Sequence, residues 1–214
     1  MDTAWTTKVI GATHLVYMPL KDFDTRGRQP SAHSDEPPGE RCLSIPATDW
    51  HRSLAAAGLK NPEVHGPAKY WLQIEGSFTR AVQQKCQHSF HVEVQYQGYA
   101  LPTPEEARRL GIPARQHTWI REVRLCGDHS PWVLARTVIP LYCLTGEGRR
   151  LLHLGSKPLG AYLFSNSRWQ RGPLETGLCH PLTEGQPEIA RRSMFRNGNK
   201  ALLVGEYFLP VLYR

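Results

Sequence analysis

The 214-residue chain lacks any paired-cysteine motif. Its five cysteines, at 42, 86, 126, 143 and 179, are odd in number and include no C-x-x-C, which argues against a disulfide framework and a zinc site and points to reduced thiols. No segment approaches the ~20 consecutive apolar residues of a spanning helix. The start, Met1-Asp2-Thr3, has no charged region followed by an unbroken apolar stretch, so the expectation is a cytoplasmic protein without stable membrane insertion. Basic residues never gather into a run of five or more, and the formal net charge of +7 is dispersed. Such a balance suits nucleic acid or an anionic metabolite equally, and no aromatic-basic motif supports nucleic acid. There is no G-x-S-x-G elbow, Walker loop, H-E-x-x-H or G-x-G-x-x-G after a strand, so the standard nucleophile, nucleotide and metalloprotease signatures are absent. The ten histidines are scattered, and although His14, His88, His91 and His180 could each meet a cysteine or carboxylate, no metal site is assigned.

What is present is a globular composition, 40% hydrophobic with eight Tyr and six Trp, of a size for one core. Residues 1–47 differ from the rest: RGRQPSAHSDEPPGERC (26–42) cannot bury enough apolar surface to offset its ordering entropy. They are read as a partly disordered extension, KVIGATHLVYMPL (8–20) being a short strand or docking segment, before a domain at 48–214. Thr48 or Asp49 predicts a capped helix over 49–60, and WLQIEG with SFTRAVQQKC predicts helical turns re-capped at Ser77. The period then changes to two in FHVEVQYQGY (90–99). HTWIREVRLC and PWVLARTVIP flank a turn at Gly127-Asp128-His129-Ser130, and PEIARRSMFRN and KALLVGEYFLP flank Gly198-Asn199, giving two hairpins. GEGRRLLHLG and KPLGAYLFSN read as helical, and RWQRGPLETGL as an edge strand interrupted at Pro173. The sum is α+β, an antiparallel sheet of about six strands packed with helices.

Two residues break this pattern. In the strand 117–126 Arg121 shares a face with Trp119, Val123 and Leu125, and in 201–210 Glu206 shares one with Leu202, Val204 and Phe208. A charge on a buried strand face is costly unless it meets a partner or a polar ligand. For Arg121 the plain alternative is an edge arginine whose stem packs on Trp119 while its head reaches water. For Glu206 it is an ion pair with Arg121 or Arg136. Taken together they suggest a pocket for a small hydroxy acid, the guanidinium gripping a carboxylate and the carboxylate facing a hydroxyl. Lys157 and Arg136 could extend the positive field, though each also reads as surface.

WIREVRLC (119–126), PWVLARTVIP (131–140), KPLGAYLF (157–164) and LLVGEYFLP (202–210), in that order, resemble bacterial chorismate pyruvate-lyase, the family that makes 4-hydroxybenzoate for ubiquinone. The resemblance runs from about Asp49 to the C-terminus and leaves 1–47 outside it. It implies a chorismate-lyase-like fold with an internal ligand pocket, conversion of chorismate to 4-hydroxybenzoate and pyruvate by a monomer, and no metal or organic cofactor. It also implies that Arg121 holds the ring carboxylate with the backbone amides of Phe78 and Leu159, while Glu206 faces the ring hydroxyl. Phe78 departs from the methionine usual in the family and changes the pocket wall. The rival reading is a non-catalytic effector-binding domain that senses small carboxylates on the same fold.

Overall fold

The computed structural model describes residues 45–214, so the segments 8–20 and 26–42 lie outside the described residues. The chain begins with β1 (Ala47–His51), α1 (Leu54–Gly58), α2 (Ala68–Gln73) and α3 (Phe78–Lys85). Then follow β2 (Phe90–Ala100), α4 (Pro104–Leu110), β3 (Thr118–Gly127) and β4 (Ser130–Pro140). Two 3-10 turns at Leu141–Leu144 and Gly146–His153 lead to α5 (Leu159–Ser165), β5 (Gln170–Arg171), β6 (Glu175–His180), β7 (Ile189–Asn197) and β8 (Lys200–Phe208). The sheet has eight strands in the order β1-β6-β7-β8-β4-β3-β2, with β5 added beside β7, and every pairing is antiparallel.

The two strands beyond the expected six have distinct causes. Pro173 and Gly172 interrupt one expected strand and leave β5 and β6 on either side of the break. The other, β1, replaces the first three residues, 49–51, of the helix expected over 49–60. Its pairing with β6, from Ala47 opposite His180 to His51 opposite Thr176, overrides the local capping signal of Thr48 and Asp49. Helix begins only at α1, where the Ser53 side chain accepts from the Ala56 amide. The domain's first strand thus opens one residue before the boundary expected at 48.

Both expected hairpins form. Asp128 and His129 take positive φ of 49° and 70° between β3 and β4, a two-residue turn whose twist matches the strands. The Asp128 carboxylate also accepts from the amides of Gln87 and His88 at 3.0 and 2.7 Å, fastening α3's exit to the turn. These bonds hold its pKa below the ordinary carboxylate value. A depressed acid contributes stability present above its unfolded pKa of about 3.9 and lost as pH falls through its folded pKa. Asp128→Asn, which keeps the left-handed backbone, is therefore expected to lower the melting temperature at pH 7 and to converge on wild type near pH 2. Scanning calorimetry across that range checks it, and an equal loss at both ends would remove the charge from the explanation.

The sheet is covered on both faces. On one, α2 and α3 pack Trp71, Leu72, Phe78 and Val82 against Val123, Leu125, Ile189 and Phe208, and α5 packs Leu163 in a second cluster with Ile139, Phe195 and Leu202. On the other, α4 brings Leu110 onto Val138, Met194 and Leu203. A cavity is left on the first face, where the two helical layers do not fill the space above the central strands.

Candidate active site

A cavity lies between the central strands and the ends of α3 and α5, with about 620 Å³ of space when the open solvent at its mouth is counted. Val123 and Leu125 of β3, Ala135 and Thr137 of β4, Val204 of β8 and Phe195 of β7 make most of its floor apolar. Four charged residues break that floor: Arg121, Arg171, Arg191 and Glu206.

Arg121 is 2% exposed. Its guanidinium donates to Gln97 Oε1 at 2.8 Å and to the Lys157 carbonyl at 3.1 Å, and Gln97 is held in turn by donating to the Leu152 carbonyl at 2.9 Å. Neither acceptor is an anion, and among the described residues no carboxylate pairs with Arg121. Desolvation by burial pulls its pKa from 12.5 down to about 10, so it remains charged at neutral pH. The edge-arginine alternative is excluded, because the head group does not reach water. A buried cation held by neutral acceptors and facing a cavity has the chemistry to take a carboxylate in two parallel charge-assisted bonds.

Glu206 faces the same space from β8. Its partner is neither Arg121 nor Arg136 but Arg191, directly opposite on β7, whose Nε donates to Glu206 Oε2 at 2.6 Å. The Arg191 side chain is 3% exposed, and its Nη1 also donates to the carbonyls of Trp71 and Ile74 at 3.1 and 2.8 Å. Its guanidinium lies 4.2 Å over the Phe78 ring, which stacks on Phe208 at 5.3 Å and 9°. One arginine thereby sets the carboxylate, the loop after α2 and the aromatic wall. Phe78 supplies a flat face to this guanidinium.

Phe78 and Leu159 are the first residues of α3 and α5, where backbone amides have no intrahelical acceptor. Gly160 lets the two helix starts converge: a Cβ there would sit 3.1 Å from Ser77 Oγ and 3.4 Å from Thr79 Oγ1. Arg171, reaching in from β5, donates to the carbonyls of Gly76 and Glu75 and packs 5.8 Å from the Phe164 ring.

Arg136 does not belong to this site. It points to the opposite face, donating to Glu106 at 2.7 and 3.0 Å and to Glu122, beside an Arg192 paired with Glu105 and Glu175 at 2.5 and 2.6 Å. Lys157 contributes its carbonyl to Arg121 rather than its charge. Of the histidines, His88 and His180 approach Asp128 and Asp49 at 3.7 and 3.2 Å. His91 joins Glu93 and Cys126 with ligand atoms all within 4.8 Å of one another, a trio that could hold a borderline divalent ion. Burial and Glu93 push the Cys126 thiol up to about 11, and a metal would have to displace that proton.

Sequence reasoning therefore placed Arg121, Glu206, Phe78 and Leu159 around one cavity but missed Arg191, Arg171 and Gln97. Arg191 had half a signal: with Arg192 beside it on β7, alternation puts one of the two arginines on the cavity face without saying which.

The family model described as "Chorismate lyase" matches residues 56–214. A "Probable chorismate pyruvate-lyase" of Marinobacter nauticus is 64% identical over 197 residues, 92% of this chain and 97% of that protein. That span takes in part of the first 47 residues, so the likeness reaches further toward the N-terminus than Asp49. The chorismate pyruvate-lyase of Yersinia enterocolitica is 40% identical over 155 residues, 71% of this chain and 86% of the other. Among solved structures, PhnF from Mycobacterium smegmatis aligns with a TM-score of 0.48 at 13% identity, over 80% of this chain and 91% of that one.

Proposed function

The chain belongs to the chorismate lyase family, and we propose on that premise that its cavity converts chorismate to 4-hydroxybenzoate and pyruvate. The observation that carries the reading is the buried, ion-pair-free Arg121 facing a cavity that also displays Glu206. Chorismate carries a carboxylate on its ring and a hydroxyl across from it. Arg121 with the amides of Phe78 and Leu159 receives the carboxylate, and Glu206 meets the hydroxyl-bearing carbon. Losing the hydrogen on that carbon while the neighbouring carbon–oxygen bond to the enolpyruvyl group breaks makes the ring aromatic. The released enolpyruvate takes up a proton to become pyruvate.

Aromatisation drives this elimination, so the residues position more than they activate. Arg121 fixes the ring, the apolar floor excludes water, and Glu206 moves a proton beside the breaking ether. Arg191 keeps Glu206 aimed at the cavity.

The expected outcome is stoichiometric 4-hydroxybenzoate and pyruvate from purified protein and chorismate in the presence of EDTA, read by chromatography and a coupled pyruvate assay. Tight chorismate binding without either product would favour the effector-sensing reading. Because the product keeps the groups that Arg121 and Glu206 recognise, it should inhibit competitively.

A further inference from the structure

Three guanidinium groups and one carboxylate line the cavity, a surplus of two positive charges. Two of the cations already have a task. Arg191 is taken up by Glu206 and two carbonyls, and Arg121 faces the ring carboxylate in the reading above. Arg171 has no such commitment: half-buried, it donates only to the backbone carbonyls of Ile74, Glu75 and Gly76, and among the described residues no carboxylate pairs with it. Carbonyl oxygens satisfy its hydrogens without neutralising its charge, so an anion entering the cavity would gain a charge-assisted bond that the resting protein lacks.

We infer that Arg171 is a second anion subsite, which receives the enolpyruvyl carboxylate of the substrate; this rests on the lyase reading. Placement supports it. The enolpyruvyl ether sits on the ring carbon next to the hydroxyl-bearing one, so its carboxylate must fall toward the Glu206 end of the cavity and away from Arg121. Arg171 stands at that end: β5 lies beside β7, and its guanidinium donates to the Ile74 carbonyl that Arg191, the partner of Glu206, also donates to. A dianionic substrate thus cancels the surplus of two, whereas the monoanionic product leaves Arg171 unengaged.

The subsite separates the two ligands in a way that a merely structural arginine would not. Arg171 also ties down residues 74–76 beside Phe78, so a structural role would weaken every ligand of the cavity alike. In Arg171→Gln, kcat/KM for chorismate is expected to fall by 30-fold or more while the dissociation constant of 4-hydroxybenzoate, measured by calorimetry, stays within threefold. Arg171→Lys, which keeps the charge but not the planar fork, should lie between. Equal losses for chorismate and 4-hydroxybenzoate, or no loss for either, would overturn the subsite while leaving the lyase reading in place. A wild-type protein that turns over no chorismate would overturn both, and the 4-hydroxybenzoate titration of each variant shows whether it is folded.

Discussion

Arg121→Met should abolish measurable 4-hydroxybenzoate binding, a loss of 100-fold or more, and leave the ligand-free protein at least as stable as wild type. The two halves of this result have one cause. A buried guanidinium with no anionic partner has given up water and received only two neutral acceptors, from Gln97 and Lys157, which is an unfavourable exchange in the empty protein. Methionine fills a similar volume without the charge. The cost of leaving Gln97 and the Lys157 carbonyl without their donor opposes the gain, and each such group is worth about 1–3 kcal/mol. With ligand present the balance reverses, because a buried charge-assisted carboxylate contact is far stronger than a screened surface pair. A hundredfold loss corresponds to about 2.7 kcal/mol. Calorimetric titration and thermal melting with and without ligand test both halves. A drop of several degrees in the ligand-free melt, with affinity changed less than threefold, would make Arg121 a structural residue.

Glu206→Gln is expected to lower kcat tenfold to a few hundredfold, more than it raises the dissociation constant of 4-hydroxybenzoate. Glutamine keeps the reach of the side chain but cannot take up a proton, so it separates positioning from acid–base work, whose usual share is about 10²–10⁴. The same change carries a second effect that follows from the pairing with Arg191. Removing the carboxylate leaves a guanidinium whose side chain is 3% exposed without its counter-charge, and breaking one side of a buried pair typically costs about 3–5 kcal/mol. A lower melting temperature should therefore accompany the slower turnover. The double variant with Arg191→Gln should recover part of the stability and none of the turnover, since the two mutations share one interaction. Unchanged kcat with weakened product binding would limit Glu206 to orienting the hydroxyl, leaving confinement as the source of catalysis.

The two key residues were legible because a strand's period of two exposes a charge on an apolar face as an error. Others were hidden for particular reasons. Arg191 and Arg192 are adjacent, so one must face the cavity and one the opposite side, and alternation alone does not say which. Gln97 reads as the polar phase of FHVEVQYQGY. A register shift between Val94 and Tyr96 breaks that phase and brings Gln97 opposite Arg121. Arg171 lies in a strand of two residues, too short to have a period. The helix expected at 49–60 formed only over Leu54–Gly58, because its expected capping residues instead form an edge pairing with β6, more than a hundred residues away.

The sequence by itself determined the α+β class, the two hairpins, the family resemblance and the presence of a misplaced cation and anion, since these depend on neighbours within a few residues. Only the tertiary structure decided which charges meet. Arg121 on β3 and Glu206 on β8 are separated by β4, two strand spacings or roughly 10 Å, too far to pair and far enough to admit a ring. Arg191 lies one spacing from Glu206 and in register with it, so it takes the carboxylate and leaves Arg121 without an anionic partner among the described residues. Strand order and register are long-range choices, made by packing both faces of the sheet at once.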